Sequence, residues 1–544
     1  MDSIYERRLR KMSSAIRARP GWMDTLNDAD AHAGWAAEAK ALKVTDLEFR
    51  YVLDELAYYS SLHSPDSSVR LSAADGVWFS HALIDADTTK GLKDYAVILE
   101  SVPDRLKDWH PAARTRTLNL IDPSLYPLMY GRSWLHREPS TSPQSSLTLD
   151  TLGELPRSLE GWRQAQWAPD ALESECYLPV IDRNQASYAS DKFSWLPSEF
   201  RVDDNGAVTI ESYINNLHPV RHAVLYPIIA SVFSKCLPLL EQVLTDLVHP
   251  RKPRVEINLY DCYEYERPEP ERGRRSYDEY LAELESRNKD ASYKDPQPKP
   301  FVVPACPGNP YSLRGRRLQA IVQMSNIELP SKKSVYGGRG WSMAGLDNER
   351  IIATGIIFYD VVNIAQCSLE FREPLNAHHT VINDNEQHAI QFAYGIDGDL
   401  SGRPACFSQE LGKVDIKDGL CVVFPNTYQY KLPRITLDIA STPGHCKMLT
   451  FYFVDPTTRI PSTEVVPPQQ RDWWMEDVLT HEPFRSLPLL VVDGIMNKID
   501  YPISLKDAKQ IRLEMEAEIK RKTVHVSTKF FQPAFSLKMF KEYR

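Results

Sequence analysis

The runs LQAIVQMSNIEL (318–329), RIIATGIIFYDVV (350–362), HAIQFAYGI (388–396), GLCVVF (419–424) and MLTFYFVD (448–455) decide the fold. Each run is rich in β-branched and aromatic residues, and turn residues of the Gly, Asn, Asp and Pro types separate them. Several short strands at such spacing are typical of a sandwich or a jelly roll. The sequence therefore predicts a strand-rich region between Arg317 and Val454.

Helical patterns surround the strand-rich region. Thr45 and Glu48 have the spacing of a capping box and open the segment LEFRYVLDELAYYSSL (47–62). Its apolar residues at helical spacing are Leu47, Tyr51, Leu53 and Leu56. The run SLKDAKQIRLEMEAEIKRKTV (504–524) predicts a helix near the other end of the chain, with Ser504 as its N-cap.

The run HPVRHAVLYPIIASVFSKCLPLLEQVLTDLV (218–248) is apolar on more than one helical face. Two interpretations remain open: one buried helix, or a pair of helices broken near Pro227 and Pro238, because proline removes a backbone donor. In both, the segment belongs to the core and not to a membrane.

The fold class predicted is α+β, with a helical N-terminal half, a distorted double-stranded β-helix (jelly-roll) barrel and a C-terminal helical extension. The Ser-, Thr- and Pro-rich stretch REPSTSPQSSLTLD (137–150) is a loop or a boundary. The predicted domain ranges are a helical N-terminal region at 1–135, a helical middle region at 151–300 with a polar insertion at 267–300, the barrel at 301–460 and a C-terminal extension at 461–544.

Composition limits the classes of function. The 544 residues carry 73 acidic and 64 basic side chains, a net charge of -9, which argues against coating of nucleic acid by overall charge. The eight cysteines include no Cys-x-x-Cys pair, so we expect neither a zinc module nor a disulfide framework. The first residues lack the apolar region of a signal peptide, and we expect a cytoplasmic protein that does not span a membrane.

Four segments with unusual composition carry a family resemblance: DWHPAARTRTLNLIDPSLYPLMYGRSW (108–134), SYINNLHPVRHAVLYP (212–227), GGRGWSMAGLDNERIIATGIIFYD (337–360) and VVPPQQRDWW (465–474). Together they resemble, over nearly the whole length, a large fungal family known mainly as a domain of unknown function. The resemblance implies a barrel like that of the iron(II)/2-oxoglutarate oxygenases.

The resemblance also implies that the iron site has been lost. Ser342 and Ala344 stand where typical members have the His and Glu that begin a facial triad, and Tyr430 stands at the distal His. A facial triad needs two imidazoles and a carboxylate, which these residues cannot supply. Cys446 stands at the co-substrate arginine, so we expect no metal and no cofactor, with His445 as the alternative of a retained ligand.

One branch of that family has this departure, the arginine-containing cyclodipeptide synthases. The resemblance to it implies condensation of arginine and a second amino acid from aminoacyl-tRNA into a diketopiperazine, with charged tRNA as partner and no DNA. Two alternatives remain open. One is an iron(II)/2-oxoglutarate oxygenase with altered ligands, and the other is a catalytically inactive scaffold of the same fold.

Joining two aminoacyl esters needs a base and oxyanion donors, and an arginine pocket needs carboxylates. The segment HHTVINDNEQH (378–388) mixes acids and imidazoles between two predicted strands. Asp384, Glu386 and His388 are therefore the catalytic candidates, and His379 is a substrate-binding candidate. The alternatives are a solvated turn for the acids and His379, and a packed side chain for His388.

A second acidic group lies in the strand-like run YDCYEYER (260–267). Asp261 and Glu264 are substrate-binding candidates there. Alternation along a strand places them on opposite faces, so only one of them can face a pocket.

Local basic runs are the candidates for tRNA contact, with a solvated surface as the alternative. They are Arg251, Lys252 and Arg254; Arg272, Arg274 and Arg275; Arg314, Arg316 and Arg317; and Lys520, Arg521 and Lys522. Trp473 and Trp474 are candidates for base stacking, with a packed corner as the alternative.

Overall fold

A computed structural model describes the protein over residues 3–62, 68–111, 117–136, 139–147, 152–154, 189–251, 253–257, 276–279, 282, 286, 295–304, 310–330, 335–374, 392–393 and 408–527. Its α-helices are α1 (Ile4–Arg17), α2 (Ala29–Ala41), α3 (Asp46–Ser61), α4 (Ala86–Glu100), α5 (Leu225–Val248), α6 (Arg471–Val478), α7 (Leu489–Met496) and α8 (Leu505–Val526).

Helix α3 begins where the capping box predicts. The Glu48 amide donates to Thr45 Oγ1 at 3.3 Å, and the Thr45 amide donates to Glu48 Oε2 at 2.7 Å. The buried face differs from the prediction, because Val52 and Leu56 are buried while Leu47 is 46% exposed. Leu47 lies five residues before Val52, which turns it away from the i, i+4 row that packs inward.

Helix α5 is one continuous helix, which decides between the two interpretations of this run. Pro227 lies in its first turn, where the backbone nitrogen has no helical partner to lose, and Pro238 is accommodated inside the helix. Among the described residues α5 alone is long and apolar enough to cross a membrane, and 56% of that stretch is buried inside the protein. It packs on the main sheet and forms the largest apolar core with it.

The main sheet is antiparallel and has the strand order β1-β2-β15-β12-β17-β11-β4-β3, with β9 also pairing to β11 and β10 to β9. Its strands are β1 (Arg70–Leu71), β2 (Trp78–Ser80), β3 (Asp108–Trp109), β4 (Thr117–Ile121), β9 (Ser198–Val202), β10 (Val208–Ile210), β11 (Arg317–Leu329), β12 (Ile351–Val362), β15 (Leu420–Pro425) and β17 (Gly444–Val454). Four of the five runs that the sequence predicts as strands become β11, β12, β15 and β17.

A smaller sheet lies against one face of the main sheet. It consists of β13 (Ser368–Pro374), β14 (Ser408–Asp415) and β16 (Gln429–Lys431), in the order β14-β13-β16. Phe371 of β13 packs on Phe424 of β15 with ring centroids 5.0 Å apart, so the two sheets share an apolar core. The pairs β5 (Leu128–Met129) with β8 (Phe193–Ser194), and β6 (Leu135–His136) with β7 (Leu152–Glu154), are separate two-stranded sheets.

The α+β class is confirmed by this mixture of helices and a large antiparallel sheet. The closed double-stranded β-helix and the domain boundaries stay predictions. The helical N-terminal half also stays a prediction: the long helices α1 to α5 lie in it, but β3, β4 and β9 belong to the main sheet although they lie outside 301–460. Strands this short carry too few alternations for a period of two to register in the sequence.

The predicted strand at 388–396 lies mostly outside the described residues, and its two described residues, Phe392 and Ala393, are helical. This part of the strand prediction is wrong. The helix predicted from Ser504 is confirmed as α8, whose Ser504 Oγ accepts from the Asp507 amide at 3.2 Å.

A buried ion network fixes the N-terminal helices to the rest of the protein. Arg254 is 7% exposed and pairs with Glu6 at 2.7 Å, Glu55 at 2.8 Å and Asp75 at 3.0 Å. Arg17 pairs with the same Asp75 at 2.8 Å. The guanidinium groups hold the pKa of Asp75 well below its usual value although burial opposes this.

Candidate functional site

One end of the main sheet carries polar side chains on the face toward the smaller sheet. The register pairs Asp108 with Asn119, Asn119 with Ser325, and Ser325 with Met448, so these four lie in one row on one face. The next row begins at His110, whose amide donates to the Thr117 carbonyl at 2.9 Å. The polar rows come from β3, β4 and β11, whereas the β12 and β15 end of the same face is apolar.

Helix α8 covers this polar end and contributes two charged residues to it. Arg512 and Glu516 are four residues apart and so lie on one helix face. The Arg512 guanidinium makes a bidentate pair with Asp108, in which Nη2 donates to Oδ1 at 3.0 Å and Nη1 donates to Oδ2, and Nη1 also donates to Asp122 at 2.9 Å. The Asn119 amide donates to both carboxylates at 3.3 Å. These bonds join the helix to the sheet across a polar interface.

His110 and Glu516 face each other within this cluster, with Nε2 and Oε1 3.8 Å apart. Burial and the nearby guanidinium groups of Arg339 and Arg512 lower the pKa of His110 to about 4. Burial and the charge of Asp122 raise the pKa of Glu516 to about 7, against the opposing effect of Arg512 and Arg339. Near neutral pH the imidazole of His110 is therefore uncharged, and the carboxyl group of Glu516 keeps its proton to a higher pH than usual.

Arg339 lies on the segment before β12 and is solvent-accessible. Burial opposes its charge, yet the surrounding Tyr336, Tyr430, Tyr452 and Asp122 raise its pKa above the usual value. The guanidinium therefore lies near the three tyrosines and Asp122, beside the polar rows.

A chain of hydroxyl groups lines the same interior. Tyr452 Oη donates to Gln323 Oε1 at 2.6 Å, and the hydroxyls of Tyr452 and Tyr430 are hydrogen-bonded to each other. Burial raises the pKa of both tyrosines, so both remain protonated at neutral pH. The arrangement offers a base, an acid and hydrogen-bond donors within one region, the groups that acyl transfer requires.

Two of the four positions at which we expect a metal or co-substrate ligand to have been lost, Ser342 and Tyr430, lie side by side. The Ser342 amide donates to the Tyr430 carbonyl at 3.1 Å, and the Tyr430 amide donates back at 3.0 Å. Ala344 packs in an apolar cluster closed by α8, and Cys446 is fully buried in the core between the sheets. Burial raises the pKa of the Cys446 thiol, which keeps it neutral.

These four residues do not fit an iron site. Ala344 has no donor atom, the Tyr430 hydroxyl is already bonded to Tyr452, and the Cys446 thiol lies among apolar side chains. Within the described ranges, no group of three or more His, Cys, Asp or Glu side chains could hold a metal ion.

His445 points away from the core that contains Cys446, so the alternative that it is a retained metal ligand there is wrong. It precedes Cys446 on β17 and therefore points to the opposite face of the sheet. Its Nε2 lies 2.8 Å from Asp360 Oδ2, in an ion-pair network with Lys93 and Lys447. The imidazole lowers the pKa of Asp360, although burial opposes this.

The residues predicted to be catalytic or substrate-binding lie outside the described part of the chain. They are Asp384, Glu386, His388, His379, Asp261 and Glu264. Their roles stay predictions. The described residues 255–257, which come shortly before the strand-like run 260–267, form no strand.

Among the predicted tRNA-contact residues, Arg254 is buried in the ion network described above, so its assignment to a nucleic-acid surface is wrong. Arg317 pairs with Glu211 at 2.7 Å and with Glu464 at 3.0 Å. Trp474 is 1% exposed and donates to the Pro468 carbonyl at 2.6 Å, which excludes stacking on a base. The packed-corner alternative is the correct one for this residue.

The sequence pattern does not mark the cluster that the structure shows. Asp108, His110 and Asp122 lie inside DWHPAARTRTLNLIDPSLYP (108–127), which carries part of the family resemblance. Arg512 and Glu516 form an i, i+4 pair on α8, but other charged residues of this helix are engaged as well, since Lys522 pairs with Asp347. The available signal was two carboxylates and an imidazole within fifteen residues.

Comparison with known proteins gives three findings. A family model described as "Protein of unknown function (DUF4246)" matches residues 46–477. A solved structure described as "Selenomethionine labeled Fe(II)/(alpha)ketoglutarate-dependent dioxygenase TqaL" is similar at 10% sequence identity, with 49% of this chain and 70% of that chain covered and a TM-score of 0.22. No curated protein matches the chain.

Proposed function

We propose that this chain, which belongs to the DUF4246 family of proteins of unknown function, is an enzyme that joins two activated amino acids, one of them arginine, into a cyclic dipeptide. Aminoacyl-tRNA is the proposed source of both. The proposed place of the reaction is the polar end of the main sheet, beside His110 and Glu516. The pair of His110 and Glu516 supports this proposal, because its surroundings move the two pKa values apart to about 4 and about 7.

Such a pair suits transfer of an amino acid from an ester to an amine. The amine nitrogen attacks the ester carbonyl and forms the C–N bond, and its proton passes to the uncharged imidazole of His110. The C–O bond of the ester then breaks, and the departing ribose oxygen takes the proton of Glu516. A proton moves from the imidazolium to the carboxylate across the 3.8 Å that separates them, which restores both groups.

The same cycle serves twice. The first round gives a dipeptide still esterified at one end, and the second closes the ring by attack of the free amine on that ester. Each round forms one amide bond and releases one tRNA hydroxyl, and neither needs an oxidant. The accessible guanidinium of Arg339 supplies donors for the oxyanion that develops in each tetrahedral intermediate.

The alternative function is an iron(II)/2-oxoglutarate oxygenase with a changed ligand set, which the family resemblance leaves open. Titration of the metal-free protein with iron(II) separates the two. Stoichiometric tight binding that activates consumption of 2-oxoglutarate supports the oxygenase and overturns the synthase. The side chains of Ser342, Ala344, Tyr430 and Cys446 do not fit an iron site.

The direct test supplies the purified protein with tRNA, synthetases and amino acids, and detects diketopiperazines by mass spectrometry. We expect an arginine-containing product from the native protein and a loss of about 10²- to 10⁴-fold in His110→Gln, the usual contribution of a general base. His249→Gln, at an exposed helix end, is the matched control and should keep full activity. Absence of product with fully charged tRNA supports an inactive scaffold instead.

The pH profile tests the assigned roles. Because His110 must be unprotonated and Glu516 protonated, the rate should rise through about pH 4 and fall through about pH 7. Glu516→Gln should abolish the fall near pH 7. If Asp384→Ala or Glu386→Ala removes activity while His110→Gln does not, the catalytic groups lie in the 378–388 segment.

A further inference from the structure

A pocket of about 480 Å³ opens beside the polar end of the main sheet, between β3, β4 and the beginnings of α6 and α8. Its volume lies within the range of about 300 to 1,000 Å³ that is usual for small-molecule sites. Three of the four segments of unusual composition meet at its wall. They contribute Tyr126 from 108–134, Asn216 from 212–227 and residues 470–473 from 465–474. The proposed function uses none of these residues.

Two wall residues have a left-handed backbone conformation. Asn216 has φ 68°, which asparagine tolerates, and Tyr126 has φ 55°, which is an outlier for a bulky side chain. Side-chain amides hold both turns. Asn216 Nδ2 donates to the carbonyls of Asp122 and Leu125 at 2.7 and 2.6 Å. Gln469 Nε2 donates to the Tyr126 carbonyl at 2.9 Å. Residues fixed in such conformations are frequent at ligand sites, because the wall then keeps its shape before the ligand arrives.

The accessible wall of the pocket is mainly apolar. Its apolar side chains are those of Leu120, Leu125, Trp473, Met475 and Leu505. Leu505, the first residue of α8, is 44% exposed and so presents its side chain to solvent at the pocket. Removing this surface from water favours a ligand that has an apolar body.

Asp472 carries the available charge at the wall. It is exposed, and its carboxylate forms no ion pair with any of the described residues. The other two carboxylates at the wall, those of Asp108 and Asp122, share the guanidinium of Arg512. The Arg471 guanidinium donates to three oxygen atoms of the loop that precedes α8, so it is engaged away from Asp472.

The surroundings of Asp472 favour a bound cation. Burial raises the pKa of its carboxyl group, against the opposing effect of Arg221, because the surrounding protein limits hydration of the charge. Arg221 is itself paired with Glu476. A cation in the pocket would offset the incomplete hydration of the Asp472 carboxylate, whereas a neutral ligand would not.

We propose that this pocket binds a small organic cation with an apolar body, whose charged group pairs with Asp472 while its body contacts the apolar wall. One available carboxylate matches one positive charge, so the ligand is a monocation and not a polyamine. The inference goes beyond the proposed function and does not depend on it, because neither Asp472 nor the apolar wall takes part in the proposed reaction.

Binding to the full-length protein, measured by calorimetry, tests the pocket without any tRNA. Phenethylamine, a primary amine with an aromatic body, is the main probe. Phenethyl alcohol replaces its ammonium group by a neutral hydroxyl, hydrocinnamate replaces it by a carboxylate, and methylamine keeps the ammonium group without the body. We expect phenethylamine to bind with one-to-one stoichiometry and the other three to bind at least about tenfold more weakly.

Two pairs of variants locate the binding. Asp472→Asn should weaken phenethylamine binding by about tenfold or more, because it removes the charge and keeps the shape of the side chain. Asp493→Asn is its matched control, since Asp493 is an exposed acid on α7 that does not line the pocket. Leu505→Ala should weaken binding by about threefold or more, whereas Leu513→Ala, equally exposed on α8 but outside the pocket, should not. Circular dichroism and unfolding curves check that each variant is folded.

Equal binding of phenethylamine and phenethyl alcohol would overturn the proposal, because the site would not recognise charge. So would unchanged binding in folded Asp472→Asn, equal losses in Leu505→Ala and Leu513→Ala, or no heat of binding up to about 10 mM phenethylamine. Selective phenethylamine binding without any diketopiperazine in the enzyme assay would support the pocket assignment and defeat the synthase. Diketopiperazine formation by a protein that does not bind phenethylamine would do the reverse.

Discussion

The free energy of unfolding of Glu516→Gln, relative to that of the native protein, should be larger at alkaline pH than at acid pH. The pKa of Glu516 is raised from its ordinary 4.5 to about 7, so the folded state binds more protons than the unfolded state between these values. Stability must then fall as pH rises through this window, because ionisation is easier in the unfolded chain. Glutamine cannot ionise and escapes this loss.

The magnitude follows from the size of the shift. Because one pKa unit corresponds to about 1.36 kcal/mol, raising the pKa of Glu516 from 4.5 to about 7 corresponds to a loss of about 3 kcal/mol in the free energy of unfolding when the pH rises past both values. The Glu516 side chain is 21% exposed and its neighbours respond to its charge, which reduces this to about 2 kcal/mol between about pH 5 and about pH 8. Burial is the first cause of the shift, so the effect should persist in moderate salt.

The assay is urea unfolding followed by tryptophan fluorescence, with native protein and Glu516→Gln measured in parallel at both pH values. Glu514→Gln, on the exposed side of the same helix, is the matched control and should keep a constant difference from the native protein. A free-energy difference between Glu516→Gln and native protein that does not change with pH would refute the reasoning. It would mean that Glu516 is ionised in the folded protein at neutral pH and cannot be the proton donor.

Three further substitutions test the framework of the fold by the same unfolding measurement. Thr45→Ala should cost about 1 kcal/mol, because it removes the acceptor of the Glu48 amide at the start of α3; an unchanged midpoint would show that the cap is redundant. Arg254→Ala should cost about 3 to 5 kcal/mol, since the buried carboxylates of Glu6 and Glu55 lose the guanidinium group that they share, while Asp75 keeps Arg17; a loss below about 1 kcal/mol would contradict this. Gly345→Ala should cost more than about 1 kcal/mol, because φ is 64° and the added Cβ would lie 2.6 Å from Ile351 Cδ1; a neutral result would show that the backbone relaxes there.

Sequence patterns predict those parts of the fold whose cause is local. The cap at Thr45 depends on residues three apart, and the long apolar runs that become β11, β12 and β17 show their character without reference to any partner. The short strand β4 pairs with the edge of β11, and β3 pairs with β4, so their pairing is a property of the assembled sheet.

The candidate site could not be predicted because its members are distant along the chain. Arg512 and Asp108 are 404 positions apart, and nothing near either residue marks the other as its partner. The pKa values of His110 and Glu516 depend on burial and on charges contributed by separate elements, which exist only after folding. The residue types were visible in the sequence, whereas their proximity was not.

The docking of α8 on β3 has a consequence for synthesis of the protein on the ribosome. Asp108 emerges from the ribosome 404 residues before Arg512, so a nascent chain carries the two carboxylates of the polar end without their guanidinium partner until α8 has been made. A messenger truncated before α8 would encode a product that lacks both Arg512 and Glu516 and exposes the apolar cluster that this helix closes. We expect such fragments to be substrates for cellular proteases, because the exposed apolar cluster has lost the helix that covers it.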